Sequence, residues 1–274
     1  MKEEHIGNIR VVSRMSALSR ANRLAALREE VRAIEAAGAS ARRECLPFGI
    51  EDMDRRLADG GLPVAALHEV AGEKPDLGDD SAALLFLAGI AARRGGMVLW
   101  ALARQDLFAP GLALAGLSPE RVLYAECRTD EEVLAVMEEG LRHGCFGAVI
   151  GEVGGAAMAS TRRLQLAAED HGSTALLLKR WRKKDADPLG ALSAAVTRWR
   201  IGCVPSGELA EVGDEGIGRP RWRIALVRQR GGAPHTWIME GSDDEGRLAL
   251  PLHRSAAAEL EAPTFTNEAR YAEA

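Results

Sequence analysis

An α/β domain with a mostly parallel central sheet flanked by helices is the fold class this sequence predicts. Three observations carry it. Short continuous apolar runs recur, at Met97–Leu102, Phe146–Glu152 and Thr174–Leu178, each the length of a strand buried on both faces. Segments with helical periodicity separate them, so strand and helix alternate along the chain. Thr129, followed three residues later by Glu132, is the capping box that opens one of those helices.

From the amino terminus, Leu18, Leu24, Leu27, Val31 and Ile34 fall at helix-like spacings among Arg and Glu. That predicts an amphipathic helix over residues 16–37, stopped at Gly38. Such a helix packs either on its own domain or on a neighbouring protomer or partner, and the sequence leaves both open. Leu46 to Ile50 leads into a short helix, Glu51 to Ala58. A turn at Gly60, Gly61 and Pro63 follows, then the strand-like run Val64 to Val70. It feeds a loop from Gly72 to Asp80, behind which Ser81 to Ala92 reads as a helix apolar on nearly every side.

After the Gly95-Gly96 turn come the strand Met97–Leu102, a weak helix over Pro110–Gly116 and the strand Val122–Ala125. The helix capped by Thr129 turns Val133, Leu134, Val136, Met137 and Leu141 inward. Strand Phe146–Glu152, a helix over about Ser160–His171 and strand Thr174–Leu178 complete the alternation. Val196–Ile201 and Trp222–Val227 alternate apolar and basic residues, as antiparallel strands with one buried face do; their basic side is either a solvated sheet face or a charged site. The chain beyond Glu240 is acidic and alanine-rich, which reads as a weakly ordered tail. The expected organisation is an N-terminal helical extension over 1–45, a core over 46–240 and a flexible tail over 241–274.

Composition narrows the function classes. The chain has 274 residues, 47% of them hydrophobic, enough for one large core with extensions. Abundant Ala, Gly, Arg and Glu suggest a GC-rich bacterial source. A net charge of −5 argues against a generally basic nucleic-acid binder, though not against a local basic patch. Cys45, Cys127, Cys145 and Cys203 show no C-x-x-C spacing, so neither a zinc site nor a disulfide framework is indicated and the compartment reads as reducing cytoplasm. No apolar leader or membrane-length segment is seen. The six histidines lie far apart, and neither G-x-S-x-G nor H-E-x-x-H occurs.

The stretch Gly72 to Ser81 has the layout of a phosphate-binding loop, glycine-bracketed between strand and buried helix, without its chemistry. A P-loop requires G-x-x-x-x-G-K-[ST], with a lysine on the β/γ-phosphates and a hydroxyl on Mg²⁺. Here Asp79 follows Gly78 where lysine is required, and Asp80 and Ser81 come next. Two like charges at about 4 Å repel by roughly 4 kcal/mol at an effective dielectric of 20, so no ATP or Mg²⁺ cofactor is expected. Lys74 is the one cation that could reach in, from the wrong end of the loop. An ordinary strand-to-helix turn explains the same spacing.

The densest basic cluster is Lys179, Arg180, Trp181, Arg182, Lys183 and Lys184. At a strand's carboxyl end, with one aromatic interleaved, it suits phosphate contacts and base stacking, a protein partner, or simple solvation.

With these pieces in order the chain resembles the ATPase core of the RecA/RadA recombinase superfamily, over roughly Leu46 to Glu240. GIEDMDRRLADGGLPVAALHEVAG is similar to that superfamily's lead-in to the phosphate loop. LVRQRGGAPHTWIME resembles its late strand, in which paired basic residues precede an Ala-Pro step. The resemblance implies that Arg228 and Arg230 reach towards a neighbouring protomer's nucleotide. It also places the segment from Lys179 where the second DNA-binding loop emerges, and Leu102 at the position of the catalytic glutamate. The Walker B carboxylate is represented only loosely, by Glu152, with Gly151 as the alternative register.

A RecA-like core with a degenerate site, a leading helix and an acidic tail is similar to the ImuA family. Its members are encoded in damage-inducible mutagenesis cassettes beside ImuB, a Y-family-polymerase-like protein, and a specialised replicative-type (C-family) polymerase. The resemblance implies a non-catalytic cytoplasmic accessory protein of translesion synthesis, at the nucleoid when engaged, which contacts an ImuB-like partner, the RecA filament and the specialised polymerase. The alternatives are an active DNA-dependent ATPase using Lys74 and Glu152, a DNA-binding module acting through Lys179–Lys184 alone, and a SulA-like division inhibitor.

Overall fold

The computed structural model describes residues 44–184, 186–206 and 218–251. The expected helix over 16–37 and the chain beyond 251 lie outside the described residues. An eight-stranded sheet is built from β3 (Leu67–Gly72), β4 (Met97–Leu102), β5 (Val122–Glu126), β6 (Phe146–Val153), β7 (Thr174–Lys179), β8 (Thr197–Val204), β9 (Arg221–Gln229) and β10 (His235–Glu240), in the spatial order β10-β9-β8-β3-β7-β6-β4-β5. The six strands from β8 to β5 in that order are mutually parallel, while β9 and β10 are antiparallel additions. A separate two-stranded ribbon pairs β1 (Cys45–Leu46) with β2 (Leu62–Pro63).

Helix α1 (Glu51–Arg56) follows β1, and α2 (Leu77–Arg93) follows β3. α3 (Ala109–Leu114) follows β4, α4 (Asp130–His143) follows β5 and α5 (Met158–His171) follows β6. α2 is buried nearly all round, as its Ala82, Ala83, Phe86, Leu87, Ala88 and Ile90 require of a helix between sheet and surface segments. Its face of the sheet holds an aromatic core in which Trp199 lies 5.6 Å from Phe86 and 5.9 Å from Phe48, ring centre to ring centre. On the opposite face, Met137, Leu141, Leu164 and Ala168 of α4 and α5 cover Leu99, Val149 and Leu177.

Thr129 caps α4 by accepting the Glu132 N–H, as the capping box predicts, while the Glu132 carboxylate takes the N–H of Arg128. α4 and α5 end at Gly144 (φ 63°) and Gly172 (φ 66°), where a side chain would be strained.

Three expectations change. β8 is not a one-face strand: it lies between β3 and β9, and its basic residues are paired, Arg198 buried against Glu69 and the partly buried Arg200 with Asp187. β10 is an additional strand, hidden in the sequence because His235–Glu240 follows a Gly-Gly-Ala-Pro turn. The described core also runs past Glu240, which pairs with Ala249. Leu248 is buried, and Ser242 seats on the bare Cα of Gly89.

Two buried polar groups in β3 hold the sheet centre. His68 Nε2 donates to the carbonyl of Pro63 at 2.8 Å, so Nδ1 accepts from the Thr197 hydroxyl at 2.7 Å, which in turn accepts from Trp199 Nε1. That chain needs a neutral imidazole, and burial lowers its pKa from 6.5 to about 4. Glu69 Oε2 accepts from Arg198 at 2.7 Å, while Oε1 accepts from Ser193 Oγ at 2.7 Å and faces the fully buried Lys179 ammonium at 3.3 Å. One carboxylate thus anchors the end of β7 and the start of β8.

The unfolded chain protonates His68 near pH 6.5 and the folded chain not until about pH 4. This contribution to stability is therefore full above pH 6.5 and lost as pH falls to about 4, by roughly 3 kcal/mol. Urea denaturation at stepped pH is expected to show that slope in the native sequence and a flatter one in His68→Gln. Glu69→Leu, which strands Lys179 and Arg198, is expected to cost about 3–5 kcal/mol in the same assay at pH 7.

Candidate functional site

The carboxyl ends of the parallel strands are where open α/β sheets place their sites, and the residues singled out by the sequence converge there. β3 ends at Gly72 and, after four intervening residues, α2 begins at Leu77, capped by Asp76, whose carboxylate accepts the Asp79 N–H at 2.9 Å. Helix onset is thus four residues earlier than the sequence suggests. Asp76 is a strong N-cap, and Asp79 and Asp80 favour the positive end of the helix. The predicted nine-residue loop from Gly72 to Asp80 contracts to residues 73–76.

This contraction changes the role of Asp79. The side chain turns inward, 4% exposed, and closes the loop on itself. Its Oδ2 accepts the Lys74 N–H at 2.9 Å and its Oδ1 the Cys203 N–H, at the end of β8, at 2.7 Å. Neighbouring N–H groups are also taken, Glu73 by the Ile201 carbonyl and Asp80 by the Asp76 carbonyl. A Cβ on Gly72 would stand 3.0 Å from the Asp79 backbone, so strand end and helix start are in close contact. Lys74 and Ser81 are exposed.

Glu152 and Gly151 sit at the end of β6 and face opposite ways. A side chain on Gly151 would collide with Met137 and Val133 beneath α4, so that register points into the core. Glu152 points into the cleft, buried, accepting from Trp100 Nε1 at 2.8 Å and from Arg180 Nε at 2.9 Å. Leu102, at the end of β4, is buried. Arg180 also reaches Asp106 at 3.0 Å and Asp80 at 3.9 Å. Burial opposes its charge, but Glu152, Asp106 and Asp80 outweigh burial and raise its pKa. Burial likewise raises the Asp80 pKa, against the pull of Arg180 and Arg104.

The basic cluster divides. Lys179 is the last residue of β7, fully buried against Glu69, and Arg180 is engaged with the carboxylates, so neither offers its charge to a nucleic acid or partner. Trp181 is half-buried, its Nε1 donating to the Gly72 carbonyl at 3.0 Å. Arg182 is exposed and pairs with Asp130, and Lys183 and Lys184 are exposed. These three remain of the predicted six-residue surface. The strand extends one residue further than the apolar run because Lys179 meets a buried carboxylate that the local sequence does not announce.

Between the loops after β4, β5, β6 and β7 lies a cleft of about 410 Å³, which Trp181 and Arg182 line together with Arg104 and Arg128. The last two escaped the sequence reading, being isolated cations on separate loops. The loop after β4 leads to α3 on one face of the sheet and the loop after β6 to α5 on the other, so the cleft marks a topological switch point. Arg228 and Arg230 lie elsewhere. Arg228 pairs with Arg198 near the start of β8, beside the amino end of β3, and donates to the Ser193 carbonyl at 3.0 Å. Arg230 is 3.8 Å from Glu169. Both are at the opposite end of the sheet from Gly72.

The fold defines a RecA-like protein. The crystal structure of the RadB recombinase superposes with a TM-score of 0.51 at 14% identity, covering 74% of this chain and 98% of that one. No family model matches. Protein ImuA of Caulobacter vibrioides, in strain NA1000/CB15N and in strain CB15, is 36% identical over 206 residues, which cover 72% of this chain and 84% of the relative. The chain belongs to the ImuA family.

Asp79→Ala leaves the part-buried hydrogen bonds from the Lys74 and Cys203 N–H groups without their acceptor. The expected loss is about 1–3 kcal/mol of stability, read from the urea midpoint.

Proposed function

We propose that this protein is a non-catalytic RecA-like accessory factor of damage-induced mutagenesis, acting in translesion synthesis through contacts with a Y-family-polymerase-like partner and the RecA filament. The observation that carries this reading is the internal carboxylate of Asp79, which holds the N–H groups of Lys74 and Cys203 at the head of α2. A triphosphate would have to displace a covalently attached anion that is already hydrogen-bonded. The residues present do not fit a nucleoside triphosphate with Mg²⁺: the N–H groups of Glu73, Lys74, Asp79 and Asp80 are taken, Asp79 stands in place of the lysine, and Glu152 is tied to Arg180. Family membership supports the cellular setting, and the exposed cations Arg104, Arg128 and Arg182 favour a subsidiary contact with single-stranded DNA, which would weaken steeply with salt.

Titration with a fluorescent ATP analogue and Mg²⁺, with and without single-stranded DNA at graded salt, is expected to show no nucleotide binding up to about millimolar, weaker than roughly −4 kcal/mol. Under the same conditions the protein is expected to retain the polymerase-like partner in a pull-down. Micromolar nucleotide binding that disappears in Lys74→Ala would overturn the non-catalytic reading, and loss of partner retention would overturn the accessory role.

A further inference from the structure

We propose that the cleft between the loops after β4, β5, β6 and β7 takes a phosphate monoester attached to a flat aromatic group, that is, a nucleoside 5′-monophosphate, either free or as the 5′-phosphate end of a DNA strand. Its volume of about 410 Å³ falls among small-molecule sites, which run from about 300 to 1,000 Å³. No residue of the closed loop 73–76 lines it, so it is separate from the degenerate phosphate loop.

Charge selects the anion. The guanidiniums of Arg104, Arg128, Arg180 and Arg182 line the cleft against the carboxylates of Asp130 and Glu152. Both carboxylates are satisfied from within the protein. Glu152 takes the Trp100 indole on one oxygen and Arg180 on the other, while Asp130 takes the N–H groups of Gly154 and Gly155, at 2.9 and 3.2 Å, on one oxygen and Arg182 on the other. Outside the lining, Asp106 and Asp80 also reach Arg180, and Glu131 lies near Arg182. That leaves Arg104 and Arg128. Both are exposed, and neither has an ion-pair partner among the described residues, Asp80 acting on Arg104 only at longer range. Two unneutralised guanidiniums match a phosphate monoester, which carries about −1.5 to −2 at pH 7, better than the single charge of an internal phosphodiester. The first turn of α4 holds Asp130, Glu131 and Glu132, so the guanidiniums rather than the helix end supply the attraction.

Position supports the same ligand. Arg104 and Arg128 each stand two residues beyond Leu102 and Glu126, which are partners where β4 and β5 pair, so the two cations leave the sheet side by side. The Arg128 N–H is held by the Glu132 carboxylate at 2.7 Å. Beyond β7, Arg182 lies across bare Gly154, where a Cβ would strike its side chain. Trp181 is the aromatic side chain of the lining, anchored by its bond to the Gly72 carbonyl. It offers a fixed flat surface on which a base stacks, and a phosphate without a base would leave that surface unused. This ligand deepens the single-stranded DNA contact proposed above and rests on that reading only where it is a strand end, since a free mononucleotide needs no DNA.

The test uses the full-length protein. Oligothymidylates of equal length ending in a 5′-phosphate or a 5′-hydroxyl are compared by fluorescence anisotropy, and dTMP, inorganic phosphate and phosphoserine by isothermal titration calorimetry. The phosphorylated strand is expected to bind about tenfold tighter than the hydroxyl strand, or dTMP about tenfold tighter than inorganic phosphate. The first preference alone identifies a strand end and the second alone a free nucleotide. Either is expected to vanish in Arg104→Gln with Arg128→Gln, both exposed positions, and Trp181→Leu is expected to weaken dTMP about tenfold. Absence of both preferences, phosphoserine binding as tightly as dTMP, or a preference that survives the double substitution would overturn the proposal. Binding of the hydroxyl strand reports the broader DNA contact separately, so the two readings fail independently.

Discussion

A carboxylate turned into the first turn of α2 is the constraint on which the site depends. Asp79 joins three pieces of chain that are distant in sequence: the loop after β3, the helix it heads and the end of β8. A phosphate loop leaves its N–H groups open to be completed by a ligand. Here the chain supplies its own anion to the Lys74 N–H, one that needs no association step and loses no translational freedom. The rest of that corner follows. Glu73 is drawn against Gly202 and Arg223, and Gly72 has no room for a side chain.

The same logic of internal neutralisation runs through the sheet. Glu69 gathers Lys179, Arg198 and Ser193 at the centre, and Glu152 takes Arg180 together with the indole of Trp100. Burying charges costs far more than surface pairing returns, and each of the two carboxylates is held by several partners rather than one. The consequence for function is geometric. Of a basic run that reads as continuous in sequence, the first part is a structural clamp and only the part from Arg182 onward faces solvent. The segment between β7 and β8 is tied to the sheet at both ends, at Lys179 and at Ser193 and Arg198, which presents its exposed cations from a fixed base.

Much of the architecture was legible because it rests on local rules. The apolar runs at Met97, Phe146 and Thr174 and the capping box at Thr129 each specify their element without reference to the rest of the chain. The missing lysine at Asp79 could also be read from a single position. Less legible were β10, shadowed by its preceding turn, and the early start of α2, where a glycine-bracketed pattern suggested a longer loop than the Asp76 cap permits. Arg104 and Arg128 left no signal, since they meet only when the strand order brings the β4 and β5 loops to one cleft.

The sequence by itself therefore determined the alternation of strands and helices, the resemblance to a RecA-like core and the absence of a P-loop lysine after Gly78, all of which depend on residue type and short-range spacing. Only the tertiary structure decided what the charged residues do. Whether Asp79 repels a ligand or fills its own loop is set by a partner 124 residues away, and whether Lys179 meets a phosphate or a buried glutamate, and whether Glu152 or Gly151 faces the cleft, by neighbouring strands. A side chain's charge is written in the sequence, but its availability depends on which opposite charge the fold places beside it.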